Sequence, residues 1–390
     1  MTAPNRNQLR LLIGIPDPES LGGPAACEPP FIAELRKQHV HVDEEIYVYG
    51  DKLSRTSSAA RVRRVLTSAF RLRAKLRRDN FDLVHLNSSF DRRAILRDVS
   101  TLAILGNRPR VFIKFHGSDV DLLKTEHPAL KKSVRRLLNR VDGIGLLSTE
   151  EKTNFLNAGW PDKKLFVVKN VVERAFPPAD PEFNARHGFK PGVPTLLFIG
   201  RFIPAKGLLD VIPACALLRD RGTDFGLICV GDGPSRDEAE AEVERRLLND
   251  RVSFTGYLSE DKTAEYYVNC SALVFPTYHY EGFPMTIFYA VAAGKPIITT
   301  RIRAAADYLS EPQNCLWVEP RNPEMLADRI QLLIENPQLR LTMARENQKL
   351  AREFSAAMVT NEYLAAYRKV IAATRADDAE SKVLPAHKAK

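Results

Sequence analysis

Residues 195–207 read TLLFIGRFIPAKG, an apolar run that ends at a glycine and continues into a loop with two cations. A run of this length is typical of a β-strand that is covered on both faces of a sheet. Ligands of open α/β sheets bind outside the carboxyl ends of the strands, so we expect Arg201 and Lys206 at a ligand edge. Two cations beside the start of the next helix suit a diphosphate. The residue order of a P-loop is absent, and a turn with two solvated cations is the alternative.

The same pattern, a short apolar run followed by a helical stretch, recurs along the chain and divides it into two halves. Prolines and glycines between Pro177 and Pro194 separate the halves and indicate an interdomain connection. The alternation predicts an α/β protein with two Rossmann-like, doubly wound domains, 1–175 and 193–360. The candidate strands are Arg10–Ile15, Glu45–Tyr49, Phe81–Asn87, Arg110–Gly117, Gly143–Ser148, Leu165–Asn170, Thr195–Gly200, Phe225–Gly231, Val252–Gly256, Ala272–Thr277, Pro296–Thr300 and Cys315–Glu319.

The end of the chain carries a helical pattern and then a polar segment. Residues 361–373 show an apolar stripe at helical spacing, formed by Tyr363, Leu364, Tyr367 and Ile371, which requires a surface to pack on. Residues 374–390 are polar with alternating charges and are predicted to be a disordered tail.

The composition excludes several classes of protein. With 44% hydrophobic and 27% charged residues among 390, the chain is typical of a soluble globular protein, and no apolar run approaches the roughly 20 residues that span a bilayer. The polar N-terminus does not resemble a signal peptide, which favours a cytoplasmic protein. The five scattered cysteines lack the spacing of a zinc site and of a disulfide framework.

Two further loops of the second half place polar chemistry beside strand ends. The segment VGDGP at 230–234 follows a strand but lacks the third glycine of the dinucleotide fingerprint. The segment EGFP at 281–284 puts a carboxylate and bare helix amides at the same edge. Such a carboxylate can bind sugar hydroxyls, although the helix dipole alone also favours an acidic residue there.

Together these loops resemble a known family. The ordered series in the second half resembles the retaining GT-B glycosyltransferases of family 4. It comprises Gly200-Arg201, Lys206-Gly207, VGDGP at 230–234, FTGY at 254–257, FPT at 275–277, EGFP at 281–284 and AAGKPII at 292–298. In the first half, Gly22-Gly23 is similar to the glycine loop of that family, and HGSD at 116–119 is similar to its segment whose histidine faces the transferred sugar.

The resemblance implies two domains that face each other across a cleft. It implies transfer of a sugar, with retention, from a nucleotide-diphosphate sugar to a glycan or lipid-linked acceptor. It assigns catalytic roles to His116, Glu281, Arg201 and Lys206. The donor would be bound by Gly22, Gly23, Gly200, Gly256, Tyr257, Gly282, Phe283, Pro284 and Tyr289.

No cofactor and no metal are expected, because paired cations stand where a metal would otherwise balance the diphosphate. Asp119-Val-Asp121 has the Asp-x-Asp form with which some other glycosyltransferases bind Mn²⁺ or Mg²⁺, but here it follows the His116 strand of the first domain, away from the diphosphate cations. Asp119 is therefore interpreted as a helix cap or an acceptor contact. Two other functions remain open on the same fold. One is a nucleotide-sugar epimerase, and the other is a non-catalytic nucleotide-sugar-binding protein.

Position 289 departs from the family pattern. The family carries two glutamates eight positions apart, and Glu281 supplies the first, but Tyr289 stands at the second. That second glutamate ordinarily binds the ribose hydroxyls of the nucleotide. A phenol forms a hydrogen bond but is not a bidentate acceptor, so the basis of nucleotide binding here is open.

A basic stretch in the first half has two interpretations. Arginines surround a helical apolar stripe that we expect to pack on the sheet, and they are either a solvated face or a contact for an anionic membrane, with the protein peripheral on its inner face. Nucleic acid is not an expected partner, because no aromatic side chains alternate with the arginines. The arginines lie within Arg61–Arg78, and the stripe is Val62, Val65, Leu66, Ala69, Leu72 and Leu76.

Overall fold

The computed structural model describes residues 8–17, 23–48, 57–107 and 109–383, with the backbone alone for Val48, Ser58 and residues 374–383. The chain forms two compact units. The first comprises Met1–Val171, Tyr280–Phe283 and Ala356–Lys390, and the second comprises Val172–His279 and Pro284–Ser355. The units therefore meet in sequence at Val171, before the predicted connection. Tyr280–Phe283, which the sequence assigns to the second domain, belong to the first unit.

The first unit is built on a six-stranded parallel sheet in the order β2-β1-β3-β4-β5-β6. Five of the six strands lie where the apolar runs predict them, whereas β2 begins four residues before the predicted Glu45, and the predicted end, Tyr49, lies outside the described residues. The strands are β1 Arg10–Pro16, β2 His41–Val48, β3 Leu83–Phe90, β4 Val111–Ser118, β5 Gly143–Leu146 and β6 Leu165–Val167. The helices are α1 Gly23–Lys37, α2 Ser58–Arg78, α3 Arg92–Leu105, α4 Pro128–Arg140, α5 Thr149–Asn157 and α14 Ala356–Val383.

The second unit repeats this architecture with a parallel sheet in the order β12-β11-β10-β7-β8-β9. The two doubly wound sheets confirm the predicted fold class. All five cysteines of the chain are buried, and none forms a disulfide. The strands are β7 Thr195–Ile199, β8 Gly226–Val230, β9 Val252–Gly256, β10 Ala272–Phe275, β11 Ile297–Thr299 and β12 Cys315–Trp317. The helices are α6 Phe183–Arg186, α7 Leu208–Asp220, α8 Arg236–Arg245, α9 Glu260–Asn269, α10 Met285–Ala292, α11 Arg303–Tyr308, α12 Pro323–Glu335 and α13 Pro337–Leu350.

Helix α14 packs against α1 and β5 of the first unit. Tyr363, Leu364 and Tyr367 of its apolar stripe are buried there, whereas Ile371 is partly exposed. The hydroxyl of Tyr367 is hydrogen-bonded to His85 of β3. The helix continues to Val383, so the predicted disordered tail is wrong for 374–383, and 384–390 lie outside the described residues. The segment 374–383 is polar but includes Ala, Arg, Glu and Lys, which are good helix formers, so polarity alone did not indicate disorder.

Among the residues that the structure describes, the stripe of α2 is only partly buried. Ala69 and Leu72 are buried, as predicted, but Val62 and Leu66 are 60% and 41% exposed. The exposed Phe70 extends this uncovered part, because positions 62, 66 and 70 follow one another at four-residue spacing on the helix. The expectation that the whole stripe packs on the sheet is therefore wrong for its first half.

Candidate functional site

The carboxyl edge of the second sheet contains a topological switch point. Strands β7 and β10 are neighbours, yet the chain continues from β7 towards β8 and from β10 towards β11 on the opposite side. Loops that leave two such strands diverge and open a crevice, which is where ligands bind in open α/β sheets. The loop after β7 carries Arg201 and Lys206, so both predicted diphosphate cations lie at this edge.

The two cations differ in their surroundings. Lys206 ends a short 3₁₀ helix, Pro204–Lys206, and is 6% exposed, with its ammonium 5.3 Å from the ring centre of Phe275 at the end of β10. Arg201 is exposed. A buried ammonium has lost most of its hydration and interacts more strongly with an anion than an exposed one does. Lys206 is therefore the stronger of the two candidates for the diphosphate.

Gly207 explains why Lys206 can approach β10. Its φ is +83°, and a Cβ built on it would lie 2.6 Å from the carbonyl oxygen of Pro276. Only glycine combines that left-handed conformation with so close a backbone approach. The Lys206-Gly207 pair thus holds the β7 and β10 loops together at the switch point.

The loops after β7, β8 and β9 are joined by main-chain hydrogen bonds. Phe202 N–H donates to Asp232 at 2.9 Å, and Gly231 N–H donates to Gly256 at 2.9 Å. A Cβ on Gly231 would lie 2.0 Å from the carbonyl oxygen of Gly200. The glycines of the VGDGP segment therefore serve the packing of these loops, and Tyr257, which follows β9, is exposed beside them.

The loop Tyr280–Phe283 lies in the first unit, against the ends of β4 and β5. A Cβ on Gly282 would be 3.0 Å from both Leu147 Cβ and the Oε2 of Glu151, and a Cβ on Gly117 would be 3.5 Å from the carbonyl oxygen of Tyr280. This packing brings the partly exposed Glu281 to the strand edge that carries His116. Two of the predicted catalytic residues thus share one edge of one unit.

Glu151, which the sequence analysis missed, supports that loop. It is fully buried and accepts hydrogen bonds from Ser118 Oγ at 2.6 Å and from the backbone N–H of Leu147 at 3.1 Å. Its backbone N–H donates to Ser148 Oγ at 3.2 Å. The Ser-x-x-Glu spacing after a strand is the signature of a capping box and was the signal available for it.

His116 is oriented by a neighbour on β3. Its Nε2 lies 2.8 Å from Asn87 Oδ1, and the amide of Asn87 donates in turn to the carbonyl oxygen of Gly14 at 3.1 Å. The carbonyl of the amide therefore accepts from an Nε2–H, which leaves Nδ1 with a lone pair. That buried Nδ1 has no hydrogen-bond partner among the described residues. The arrangement can accept a hydrogen bond from a hydroxyl group.

Burial and the nearby charge of Lys114 keep the imidazole of His116 neutral. Burial, then Lys114 and then His85 hold the pKa of His116 well below its usual value. Lys114 forms a buried ion pair with Glu28 of α1 at 2.8 Å. Burial would raise the pKa of Glu28, but Lys114, His85 and hydrogen bonds hold it below the usual range. The sequence analysis missed this pair, although a lysine inside an apolar strand was a visible signal.

The remaining predicted site residues fall into three groups. Gly23 begins α1, and Gly22 lies outside the described residues. Phe283 is buried, and Pro284 is the N-cap residue of α10. Asp119 caps the 3₁₀ helix Val120–Lys124 by accepting from the N–H of Asp121 at 3.2 Å. In the part of the chain that the structure describes, no three His, Cys, Asp or Glu residues are grouped as a metal site would require.

Tyr289 lies on α10 and is 7% exposed. Its hydroxyl donates to Oε1 of Glu260 at the start of α9. The guanidinium of Arg174 lies over its ring at 4.8 Å from the centre. The second unit therefore does place a carboxylate beside position 289, although from another helix.

The sequence matches two protein families in its two halves. Residues 180–350 match the family described as Glycosyl transferases group 1, and residues 30–176 match Glycosyltransferase Family 4. A 2-deoxystreptamine glucosyltransferase of Streptomyces kanamyceticus is 29% identical over 260 residues, which is 65% of this chain and 67% of the relative.

A second relative acts, by its name, on a lipid-linked sugar. It is the N,N'-diacetylbacillosaminyl-diphospho-undecaprenol alpha-1,3-N-acetylgalactosaminyltransferase of Campylobacter jejuni, 28% identical over 57% of this chain and 59% of the relative. Among solved structures, Anabaena HepE in complex with UDP-glucose has the same fold, with a TM-score of 0.68 and 18% identity over 95% of this chain and all of that one.

Proposed function

The chain belongs to the group 1 glycosyl transferases, with a family 4 segment in its first half, and from this we propose that it is a retaining, metal-independent glycosyltransferase. The donor is a nucleotide-diphosphate sugar, and the acceptor is a glycan or a lipid-linked glycan. The observation that carries the proposal is Lys206, a buried cation at the switch point of the second sheet. The UDP-glucose bound to the HepE structure supports the donor class.

The second unit supplies the charge for the leaving group. When the bond between the sugar C1 and the diphosphate oxygen breaks, negative charge develops on that oxygen. Lys206 and Arg201 stabilise this charge in the transition state, and the position of Lys206 is fixed before the reaction by the loop contacts of the adjacent Gly207. No metal is required for this step.

The first unit binds the sugar. The neutral His116 accepts a hydrogen bond from a sugar hydroxyl at Nδ1, and Glu281 accepts from another. The acceptor oxygen forms its bond to C1 on the face from which the diphosphate departs, and its proton passes to a phosphate oxygen. The neutral imidazole is consistent with a binding role, because it carries no excess proton to donate.

For the lipid-linked class of acceptor, we propose that α2 attaches the protein to the membrane that carries the lipid. The apolar residues Val62, Leu66 and Phe70 are exposed on α2, and Ser58–Arg78 contains no acidic residue. Several cations farther along the helix are paired, as Lys75 is with Asp43 at 2.8 Å and Arg71 with Glu45 at 3.6 Å. The arginines that we propose to meet anionic lipid are Arg61 and Arg63, which are exposed at the start of the helix. None of the described helices has the length and apolar composition needed to cross a bilayer.

The test is a coupled assay of nucleoside diphosphate release. The protein is incubated with UDP-, GDP- and ADP-sugars, with and without glycan and polyprenyl-diphosphate-sugar acceptors. We expect release that depends on an acceptor and on Lys206. Conversion of the nucleotide sugar into an epimer without release would identify an epimerase. Tight binding without any turnover would identify a binding protein.

A further inference from the structure

The start of α9 holds a carboxylate in a fixed position at the carboxyl edge of the second sheet. Glu260 lies four positions beyond β9, whose last residue, Gly256, is hydrogen-bonded to the β8 loop. That loop is bonded in turn to the β7 loop, which carries Arg201 and leads to Lys206. Glu260 therefore belongs to the same connected set of loops as the proposed diphosphate cations.

The side chain of Glu260 is positioned by Tyr289. The phenol donates to Oε1 and is itself almost wholly buried, so it fixes one oxygen of an otherwise exposed carboxylate. Burial, together with the charge of Glu260, raises the pKa of Tyr289, so the phenol keeps its proton and remains a donor. The second oxygen of Glu260 has no hydrogen-bond partner among the described residues.

The backbone of Glu260 is fixed as well. Arg174 donates through Nη2 to its carbonyl oxygen and, at 2.7 Å, to the hydroxyl of Thr263, which donates to the same carbonyl at 2.7 Å. The guanidinium also lies over the rings of Tyr289 and Tyr267, at 4.8 and 5.5 Å from their centres. A carboxylate held this firmly from both ends loses little freedom when it binds a ligand, which favours affinity.

We propose that Glu260 binds the ribose hydroxyls of the donor nucleotide, with Tyr289 and Arg174 as the residues that position it. This rests on the proposed function, because a ribose is attached to the diphosphate that Lys206 would bind. A carboxylate at the carboxyl edge of a doubly wound sheet is a suitable acceptor for a ribose hydroxyl. A charged acceptor aligned in advance selects ribonucleotides, since a deoxyribose leaves that oxygen without its donor.

The experiment is calorimetric binding of UDP, GDP and ADP, each compared with its 2′-deoxy form. We expect the unmodified protein to bind one ribonucleoside diphosphate about ten- to a hundredfold more tightly than its deoxy form, the range of a hydrogen bond to a charged group. Glu260→Gln should remove most of that preference. The matched control is Asp261→Asn, a neighbouring exposed carboxylate on the same turn, which should keep it.

Tyr289→Phe separates positioning from packing, because it removes only the hydroxyl. We expect it to weaken the ribose preference in part and to raise the donor KM more than it lowers kcat. Equal binding of ribo and deoxy forms by the unmodified protein, or an unchanged preference in Glu260→Gln, would overturn the proposal and leave the proposed function intact. Binding of none of the nucleotides would overturn both.

Discussion

His116 and Asn87 are joined by a 2.8 Å hydrogen bond between Nε2 and Oδ1, and this bond places the imidazole proton on Nε2 and leaves the lone pair on Nδ1. Because the Asn87 amide donates to the carbonyl of Gly14, its oxygen is the atom that meets the ring. The lone pair on Nδ1 is then available to a hydroxyl group only while the ring is neutral. The depressed pKa of His116 is therefore a condition of the proposed sugar contact.

The first prediction concerns the pH dependence of stability. The folded protein holds the pKa of His116 well below the usual value and lowers that of His85 to about 4, whereas both are ordinary in the unfolded chain. Below about pH 6.5 the unfolded state binds more protons, so stability is complete above that pH and is lost as the pH falls. We expect the loss to approach about 1.4 kcal/mol per pH unit for each histidine below about pH 6.5, measured by urea unfolding between pH 7 and 5.

The control for that measurement is His116→Asn. The variant lacks one of the two groups, so its stability should fall with a visibly smaller slope over the same interval. The interval lies above the pKa values of ordinary carboxylates, so the histidines dominate it. Identical slopes in the two proteins would show that His116 titrates normally in the folded state.

The second prediction separates the two cations of the β7 loop. Lys206→Ala should weaken nucleoside diphosphate binding by about 1.5–3 kcal/mol, the range of a hydrogen bond to a charged group. Arg201→Ala should weaken it less, because Arg201 is exposed and its charge is screened. Lys190→Ala, an exposed lysine of the same unit, is the control. If both loop variants bind nucleoside diphosphate as tightly as the unmodified protein does, the diphosphate does not bind at this edge.

The third prediction compares two glycines that have the same backbone conformation. Gly207 and Gly222 have φ of +83° and +75°, but only Gly207 has neighbours within 4 Å of a built Cβ. Replacement of either glycine by alanine should lower the free energy of unfolding by about 1–2 kcal/mol, because alanine is strained in the left-handed conformation. Gly207→Ala should cost about 1–3 kcal/mol more, since its methyl group meets the backbone of Pro276.

Urea unfolding measures this difference, and nucleotide binding should fail in Gly207→Ala alone, because the displaced loop carries Lys206. If the two variants lose equal stability and retain equal affinity, the close approach of the β7 and β10 loops has no role in the site.

The two sheets could be predicted from the sequence, because a strand that is covered on both faces is encoded by a continuous apolar run. It also located Lys206, since a cation after such a run must lie at a strand end. It did not reveal that Glu260 meets Tyr289, because the two are 29 positions apart and are brought together only by the packing of α9 and α10.

The same limit applies to Tyr280–Phe283 and to α2. Nothing local distinguishes a loop that packs on the first unit from one that stays with the second, because the difference rests on the close contacts of Gly282 with Leu147 and Glu151. The apolar stripe of α2 predicted a buried face, yet periodicity cannot say how far along the helix the covering elements extend.

The fourth prediction concerns metal ions. Acceptor-dependent release of nucleoside diphosphate should be unchanged after treatment with EDTA, because Lys206 and Arg201 supply the positive charge that the leaving group needs. The measurement is the initial rate before and after chelation and after addition of Mn²⁺ or Mg²⁺. A rate that collapses with EDTA and returns with either ion would assign a metal to the diphosphate instead.

The fifth prediction tests the membrane surface of α2. Flotation should show binding to vesicles that contain anionic lipid and none to neutral vesicles. Each arginine near the surface contributes about 1 kcal/mol, and the attraction should fade at 1 M salt, where the Debye length is about 3 Å. Arg61→Gln with Arg63→Gln should weaken binding at low salt.

The apolar part of that surface has its own variants. Leu66→Ser with Phe70→Ser should weaken binding at every salt concentration, because burial of apolar groups in the interface does not depend on screening. The control is Leu341→Ser on α13, where the leucine is 52% exposed. Ala69 and Leu72 are left unchanged, since they are buried and their loss would destabilise the first unit.

All these variants should transfer sugar normally to a short water-soluble acceptor. Equal flotation of the unmodified protein with anionic and neutral vesicles would show that the arginines form a solvated helix face and do not bind anionic lipid.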